Sequence, residues 1–477
     1  MSKTLQNKLS NFFYIVLGLP ATAMGFALCV QISALSWILS TKYNLKIDEI
    51  GLVWAAGPIA GILGQVIVGL LSDRVWLWNG RRRPFIIIGG ILCSLMLLAL
   101  PNLDIISMKL GLNGILGIAI VVALLLDLSI NVSFNPTRSI IADVTPDGRE
   151  RTKGYTWMQT ISGSFGVAAY VIGATLDNYV LIYIGVVLVL ILSIFPVLLI
   201  KEPRKIIEHQ AELMKSQQKT SFIQIIMDIQ PLWGFLVYAV YGIVKKISGI
   251  ESGNYYIEFI CLIITIILIL KTILTSSKNL TKEQANNLIF RKVLAAHSFT
   301  WIGIQTMFIY MFAYIQFKMP LVSAIQMGQI VSISFLILNI TGAILPVAIL
   351  EPITHRIGQI KTHGLCILSM AIGYLLLAYF GSNSMLIYLF MAFIGIGWAS
   401  TISLPFAIMT QKVSGSRIGL YMGLFNLSVV LPQLVSSLGI GQLVSTVHDK
   451  TIIFIVCGLS LGISACLWLM IKEHNNQ

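Results

Sequence analysis

Charge is scarce in this chain, and negative charge most of all: its 477 residues carry 19 Asp and Glu against 32 Lys and Arg, 11% charged in total. Globular domains usually carry about 25%, so the shortage excludes an ordinary soluble fold. No glycine-rich phosphate loop of the Walker type is present, which excludes ATP hydrolysis by this chain as an energy source. Nor does any zinc-ligand spacing or nucleophile constellation point to an enzyme. The six cysteines (Cys29, Cys93, Cys261, Cys366, Cys457, Cys466) all lie within apolar runs. They read as small hydrophobes and imply no disulfide framework, no metal site and no other cofactor. Carbonyl-filter and charged-ring signatures are missing as well, which argues against a channel.

What the chain has instead is apolar length. It is 57% hydrophobic, and its apolar runs repeatedly reach the roughly 20 residues that span a bilayer, the mark of a polytopic all-α membrane protein. Spans are expected at 12–40, 50–71, 85–100, 115–141, 154–176 and 180–200 in the first half. Six more follow at 293–316, 323–350, 363–380, 385–409, 418–444 and 452–470. Ala21-Thr22-Ala23 resembles a signal cleavage site, but the apolar run continues well past it, so a retained first helix is expected.

Two further segments, 232–244 and 255–274, lie between the halves, the first short and preceded by Pro231. Counting both gives about 14 helices and puts Lys278, Lys282, Arg291, Lys292, Arg356, Lys361, Lys412, Arg417 and Lys472 on the side of the cationic linker after residue 200. The cost is that Lys245 and Lys246 land outside; both termini are then cytoplasmic. The expected division is a six-helix half at 1–200, a cytoplasmic linker at 201–228, an inserted helix pair at 229–277 and a second six-helix half at 278–477. The net charge of +13 is accounted for by cations in alternate loops, as a multi-pass protein of the cell's inner (plasma) membrane requires, rather than by nucleic acid.

The most specific local pattern is a charged hairpin after the second span: Gly69, then Asp73-Arg74, then Gly80-Arg81-Arg82-Arg83-Pro84. Its cations fix the loop in the cytoplasm, and Gly69 permits close helix approach. Asp73 stands at a helix end, where a carboxylate pairs with an arginine or a helix N-terminus. Asp143, near the same end of the fourth span, is expected to pair with one of Arg81, Arg82 and Arg83 as a cytoplasmic gate; topology alone is the plainer reading of these cations. His355-Arg356-Ile357-Gly358 with Lys361 is an eroded echo of the hairpin in the second half. Two such halves form the repeat pattern of the major facilitator architecture, with substrate expected between them.

Ionisable groups deep in a membrane are costly, so each is a functional candidate. Asp127 sits midway along the fourth span. At 100° per residue it falls within roughly 40° of Asn131 and Arg138, although Arg138 is about 16 Å further along the axis. A carboxyl group at this depth can alternate between neutral and charged forms, which suits a proton carrier; the plainer reading is a structural Asp hydrogen-bonded to its neighbours. In the seventh core span His297, Trp301 and Gln305 share a face, an aromatic plate beside an amide, which suits the apolar face and hydroxyl rim of a sugar. Packing alone would also account for Trp301, and a position at the membrane edge for His297. Asn426 and Gln433 align at spacing seven around Pro432, and Gln31 and Gln159 are further candidates for the lining.

Several of these residues carry a resemblance. Trp54-Ala55-Ala56-Gly57-Pro58, the hairpin from Gly69 to Phe85, Leu126-Asp127, Arg138-Ser139-Ile140-Ile141-Ala142-Asp143, Trp398-Ala399-Ser400, Leu404-Pro405-Phe406, Met422-Gly423-Leu424-Phe425-Asn426 and Leu431-Pro432-Gln433 resemble the sucrose-transporter-like, glycoside-pentoside-hexuronide:cation symporter branch of the major facilitator superfamily. The inserted pair resembles bacterial members. The resemblance implies proton-coupled symport of a sugar or glycoside by a monomer in the lipid bilayer, with Asp127 as the proton site and Arg138 orienting substrate or coupling. The seventh core span departs from the plant pattern: Ile309-Tyr310-Met311-Phe312-Ala313-Tyr314 lacks the aspartates that plant sucrose carriers show there, which leaves the sugar open. An exporter or antiporter of amphiphiles and a non-transporting membrane sensor are the alternative expectations.

Overall fold

The structure is a computed structural model of the chain, and it describes residues 10–62, 64, 76–112, 114–146, 149–202, 222–248, 255–276, 280–412 and 418–471. Helices dominate, because a backbone in hydrocarbon must satisfy its own hydrogen bonds. They are α1 (Asn11–Thr41), α2 (Ile47–Trp54), α3 (Arg83–Ala99), α4 (Leu116–Val144), α5 (Arg149–Thr175), α6 (Asn178–Leu199), α7 (Trp233–Ser248), α8 (Tyr256–Leu274), α9 (Lys282–Lys318), α10 (Ala324–Leu345), α11 (Gln359–Phe380), α12 (Ser384–Lys412), α13 (Ile418–Val435) and α14 (Ile452–Met470). Among the described residues, 11 helical segments are long and apolar enough to cross a membrane. The chain is thus a multi-pass membrane protein, and the expected number of spans is approximate. The 16-residue α7 is about 24 Å long, short of the roughly 30 Å hydrocarbon thickness. α5 falls below the apolar criterion because it is rich in hydroxyls. Those of Thr160 and Ser164 bond back to the carbonyls one turn earlier, both at 2.9 Å, which keeps them satisfied without a partner helix.

Three expected spans are interrupted. The second, read as 50–71, breaks at Ala55 and resumes at 56–62; Pro58 withholds the N–H that would bond the carbonyl of residue 54. The span read as 323–350 passes at Pro346 into a π-helical turn, Pro346–Leu350. The span read as 418–444 continues through Pro432 but turns π-helical at Ser436–Ile440, where the Tyr310 hydroxyl donates to Ser436 O at 3.2 Å. A side chain inserted into the carbonyl ladder is a recognised cause of such a break.

The chain divides into two compact units. The first comprises Met1–Leu45, Ala56–Gln217 and Ser323–Ile333. Its core gathers Leu17, Ile86, Ile140, Ile141, Val197 and Ile200 from α1, α3, α4 and the end of α6. Small residues let its helices approach closely. A methyl group on Gly18 of α1 would lie 2.9 Å from Met158 Cα of α5. The start of α10 belongs to this unit: Trp37 Nε1 donates to Ala324 O at 2.7 Å, and Ser33 and Ser332 hydroxyls meet at 2.6 Å.

The second unit comprises Lys46–Ala55, Gln218–Val322 and Ser334–Gln477. α9 is begun by a capping box in which Thr281 Oγ1 accepts from Gln284 N–H at 3.3 Å and Gln284 Oε1 accepts from Thr281 N–H at 3.1 Å. Tyr310, Tyr314, Tyr374, Phe425, Phe454 and Trp468 are fully buried here. Gly358, with φ of +88°, supplies the left-handed turn between the helix Glu351–Ile357 and α11, a conformation that any Cβ would strain.

Gly18→Leu is expected to destabilise the first unit by about 1–3 kcal/mol, the usual cost of overpacking. Thermal unfolding of the purified chain in detergent checks this; an unchanged midpoint would contradict the close α1 to α5 contact.

Candidate functional site

Asp127 lies on α4 and is 6% exposed. Gln31 of α1 donates from Nε2 to its Oδ2 at 2.9 Å, and Asn131 donates from Nδ2 to the Asp127 carbonyl at 2.8 Å. Gly57 makes room: a Cβ there would stand 3.3 Å from Asp127 Oδ2. No Lys or Arg among the described residues pairs with this carboxyl group. Gln31 thus turns from an expected lining residue into the partner of Asp127. Its amide carries both a donor and an acceptor, so a flip lets it serve a carboxylate or a carboxylic acid equally. Arg138, further along α4, is exposed, with its guanidinium 4.1 Å from the Phe134 ring centroid. It shares an open recess with Tyr155 and Gln159 of α5.

In the second unit Gln433 of α13 donates from Nε2 to Gln305 Oε1 of α9 at 3.1 Å, so two of the expected sugar ligands meet. Asn426, two turns earlier on the same face of α13, is half-buried. Trp301 is half-buried, and its indole N–H is spent on His297 Nε2 at 2.9 Å. His297 is 1% exposed, stacked on Phe425 at 4.7 Å and set edge-on to Trp468. The aromatic neighbours on α13 and α14 that enclose it are remote in sequence.

The charged hairpin is described from residue 76 onward, and Gly69, Asp73 and Arg74 lie outside the described residues. Leu77 and Gly80 exchange backbone hydrogen bonds at 3.0 Å, closing a two-residue turn with Trp78 and Asn79 at φ of +51° and +59°, the twist that a type I′ turn requires. Arg81 grips both oxygens of Asp143 from Nη2 at 2.9 Å, and Arg82 Nε reaches Asp143 Oδ2 at 3.1 Å. The side chains of Arg81 and Asp143 are only 4% and 8% exposed.

Glu202, which sequence reasoning assigned to the linker, completes this cluster. Its carboxylate accepts the backbone N–H groups of Arg81, Arg82 and Arg83 at 2.7 to 3.2 Å, satisfying the N-terminus of α3 where the helix dipole favours an anion. Arg83 returns the contact, donating to Leu198 O and Ile200 O at the C-terminus of α6. Gly80 is required, because a Cβ there would collide with Glu202 and Arg83. The Glu-Pro pair that ends the sixth apolar run was the one available signal for Glu202.

The second unit has its own ion cluster, away from the hairpin echo. His355 and Arg356 are exposed and carry no ion pair among the described residues. Instead Asp228, 1% exposed, accepts from Arg291 Nη2 at 3.0 Å, Tyr421 Oη at 3.1 Å and Gln224 Nε2 at 3.0 Å. These partners come from the helix before α7, the start of α9 and the start of α13, a combination that no local spacing announces.

A sequence profile of the Major Facilitator Superfamily matches residues 17–437. The chain is 32% identical over 153 residues to a general alpha-glucoside permease of Schizosaccharomyces pombe, a stretch that is 29% of this chain and 28% of that protein. It is 31% identical over 133 residues to a sucrose transport protein of Arabidopsis thaliana, covering 25% of this chain and 26% of that one. The matches thus span about a quarter of these relatives' length. Among solved structures, the fold is similar to the nucleoside transporter NupG (TM-score 0.63, 14% identity, 97% of this chain and 100% of that chain). It is similar also to the POT family transporter PepTSo (TM-score 0.66, 12% identity, 97% of this chain and 98% of that chain). The curated relatives are permeases and transport proteins rather than enzymes.

Asp143→Asn should cost about 3–5 kcal/mol, because it strands the buried guanidinium of Arg81. Glu202→Ala should cost about 1–3 kcal/mol through three unsatisfied amides. Unfolding of each variant in detergent reads these losses, and wild-type stability in both would contradict the reciprocal capping of α3 and α6.

Proposed function

The chain belongs to the major facilitator superfamily, and from that premise we propose that it is a secondary active transporter that carries a sugar or glycoside together with a proton by alternating access. The single observation that carries the proton assignment is Asp127, buried on α4 with an amide partner and no cation among the described residues. A carboxylate there has no counter-charge to offset its desolvation, so taking up a proton before the site changes its exposure lowers the cost of that change. Gln31 accommodates both states by rotating its amide. The sugar assignment draws support from the alpha-glucoside permease and sucrose transport protein relatives and from the polar groups at hand. Arg138, Asn131 and Gln159 in the first unit, and Trp301, Gln305, Asn426 and Gln433 in the second, offer donors and acceptors for hydroxyl groups and an aromatic face for a pyranose ring.

In this proposal Arg81, Arg82, Arg83, Asp143 and Glu202, with Gly69, Asp73, Arg74 and Gly80, form a cytoplasmic gate whose charges latch one conformation. Asp228, Arg291 and Tyr421 do corresponding work in the second unit. The inserted pair at 229–277 keeps both termini cytoplasmic, the protein acts as a monomer, and it resides in the inner (plasma) membrane.

The test is uptake of a labelled sugar panel, including α-glucosides, into proteoliposomes under an imposed inward proton gradient. Wild-type protein should accumulate at least one of these sugars above equilibrium. Asp127→Asn should abolish accumulation while sugar exchange at zero gradient stays within about threefold of wild type. Full gradient-driven accumulation by Asp127→Asn would remove the proton role, and exchange lost with accumulation would make the residue structural.

A further inference from the structure

Apart from the residues assigned to transport, the second unit holds an apolar cavity of about 460 Å³ bounded by α7, α8, α9 and the π-helical end of α13. Phe235, Leu262, Phe299, Ile302 and Leu443 give it hydrocarbon walls. Along α8 the lining runs from Tyr255 to Thr265, about 15 Å at 1.5 Å per residue. That is about half the 30 Å hydrocarbon thickness, one leaflet.

The one carboxylate in its lining is Glu258, close to the Tyr255 end. Glu258 Oε1 accepts from Lys245 Nζ at 2.9 Å and from the Tyr241 hydroxyl at 3.3 Å. Its Oε2 is buried with no hydrogen-bond partner among the described residues. A buried carboxylate oxygen without a donor is costly, and few native groups are left so. Lys246 is exposed beside Lys245 on the same helix end. One acidic oxygen in need of a donor lines the apolar slot, and Lys245, paired with the same carboxylate, stands beside it with Lys246 next in the chain.

We infer that this cavity binds a membrane phospholipid bearing a primary ammonium group. The ammonium donates to Glu258 Oε2, the phosphate lies against Lys245 and Lys246, and one acyl chain fills the slot. A choline head has no N–H to give and a glycerol head adds no positive charge, so neither completes the set. The lipid would brace α7 and α8 against the rest of the second unit.

The experiment is native mass spectrometry of the full chain, released from detergent with equal amounts of phosphatidylethanolamine, phosphatidylcholine and phosphatidylglycerol. Wild-type protein should retain one phosphatidylethanolamine, about tenfold in preference to either competitor. Glu258→Gln should erase the preference, and Leu443→Trp, which fills the slot from an exposed position, should lower retention of all three. Equal retention of the three lipids by wild type, or a preference unchanged by Glu258→Gln, would overturn the assignment. The readout needs no transported sugar, so it stands or falls independently of the transport proposal.

Discussion

Moving a charge out of water into a low-dielectric interior costs several kcal/mol per ion unless a partner is waiting, and the described structure is arranged around that cost. Asp143 is gripped by two guanidinium groups, Asp228 by one guanidinium and a tyrosine, and Glu202 by three backbone amides. Each of these clusters joins helices that are distant in sequence. Breaking any of them leaves an uncompensated charge, and in the proposed transport cycle each acts as a latch. Asp127 stands apart. It has only the amide of Gln31, a partner equally suited to a neutral acid.

In the transport cycle proposed above, that contrast separates mechanical from chemical roles. The carboxylates of Asp143 and Asp228 are well supplied with donors. Asp127 is undersupplied, and the group that can shed or take a proton at least structural cost is the one whose neighbours tolerate both forms. The glycine at 57 reinforces the point, because the space it leaves beside the carboxyl group is what a bulkier residue would use to shield or displace it.

Much of this was legible in the sequence, for a physical reason. Spanning helices announce themselves by length and apolarity, and a lone Asp in Leu124-Leu125-Leu126-Asp127 cannot hide in such a run. The pairing of Asp143 with Arg81 and Arg82 was readable because the hairpin and the end of α4 must lie on the same side of the membrane. Glu202 was not, since an acid at the end of an apolar run looks like the start of a linker until the N-terminus of α3 is placed beside it. Asp228, Arg291 and Tyr421 come from three separate stretches, and only tertiary packing brings them together. The enclosure of His297 by Phe425 and Trp468 was hidden for the same reason: it depends on helices more than 100 residues away. Prolines stand near the interruptions, Pro58 just after the break at Ala55, Pro346 at the start of one π-turn and Pro432 four residues before the other, but whether a helix breaks or passes into a π-turn depends on tertiary packing.

The claim on which the account turns is that Asp127 changes protonation as part of the transport cycle. Infrared difference spectroscopy of the reconstituted protein, with the Asp127→Asn spectrum subtracted, observes that carboxyl group directly. At fixed pH, adding a transported sugar should change the intensity of a carboxylic-acid C=O band that Asp127→Asn lacks. A carboxylate signal from Asp127 that stays the same with and without sugar across the working pH range would contradict it.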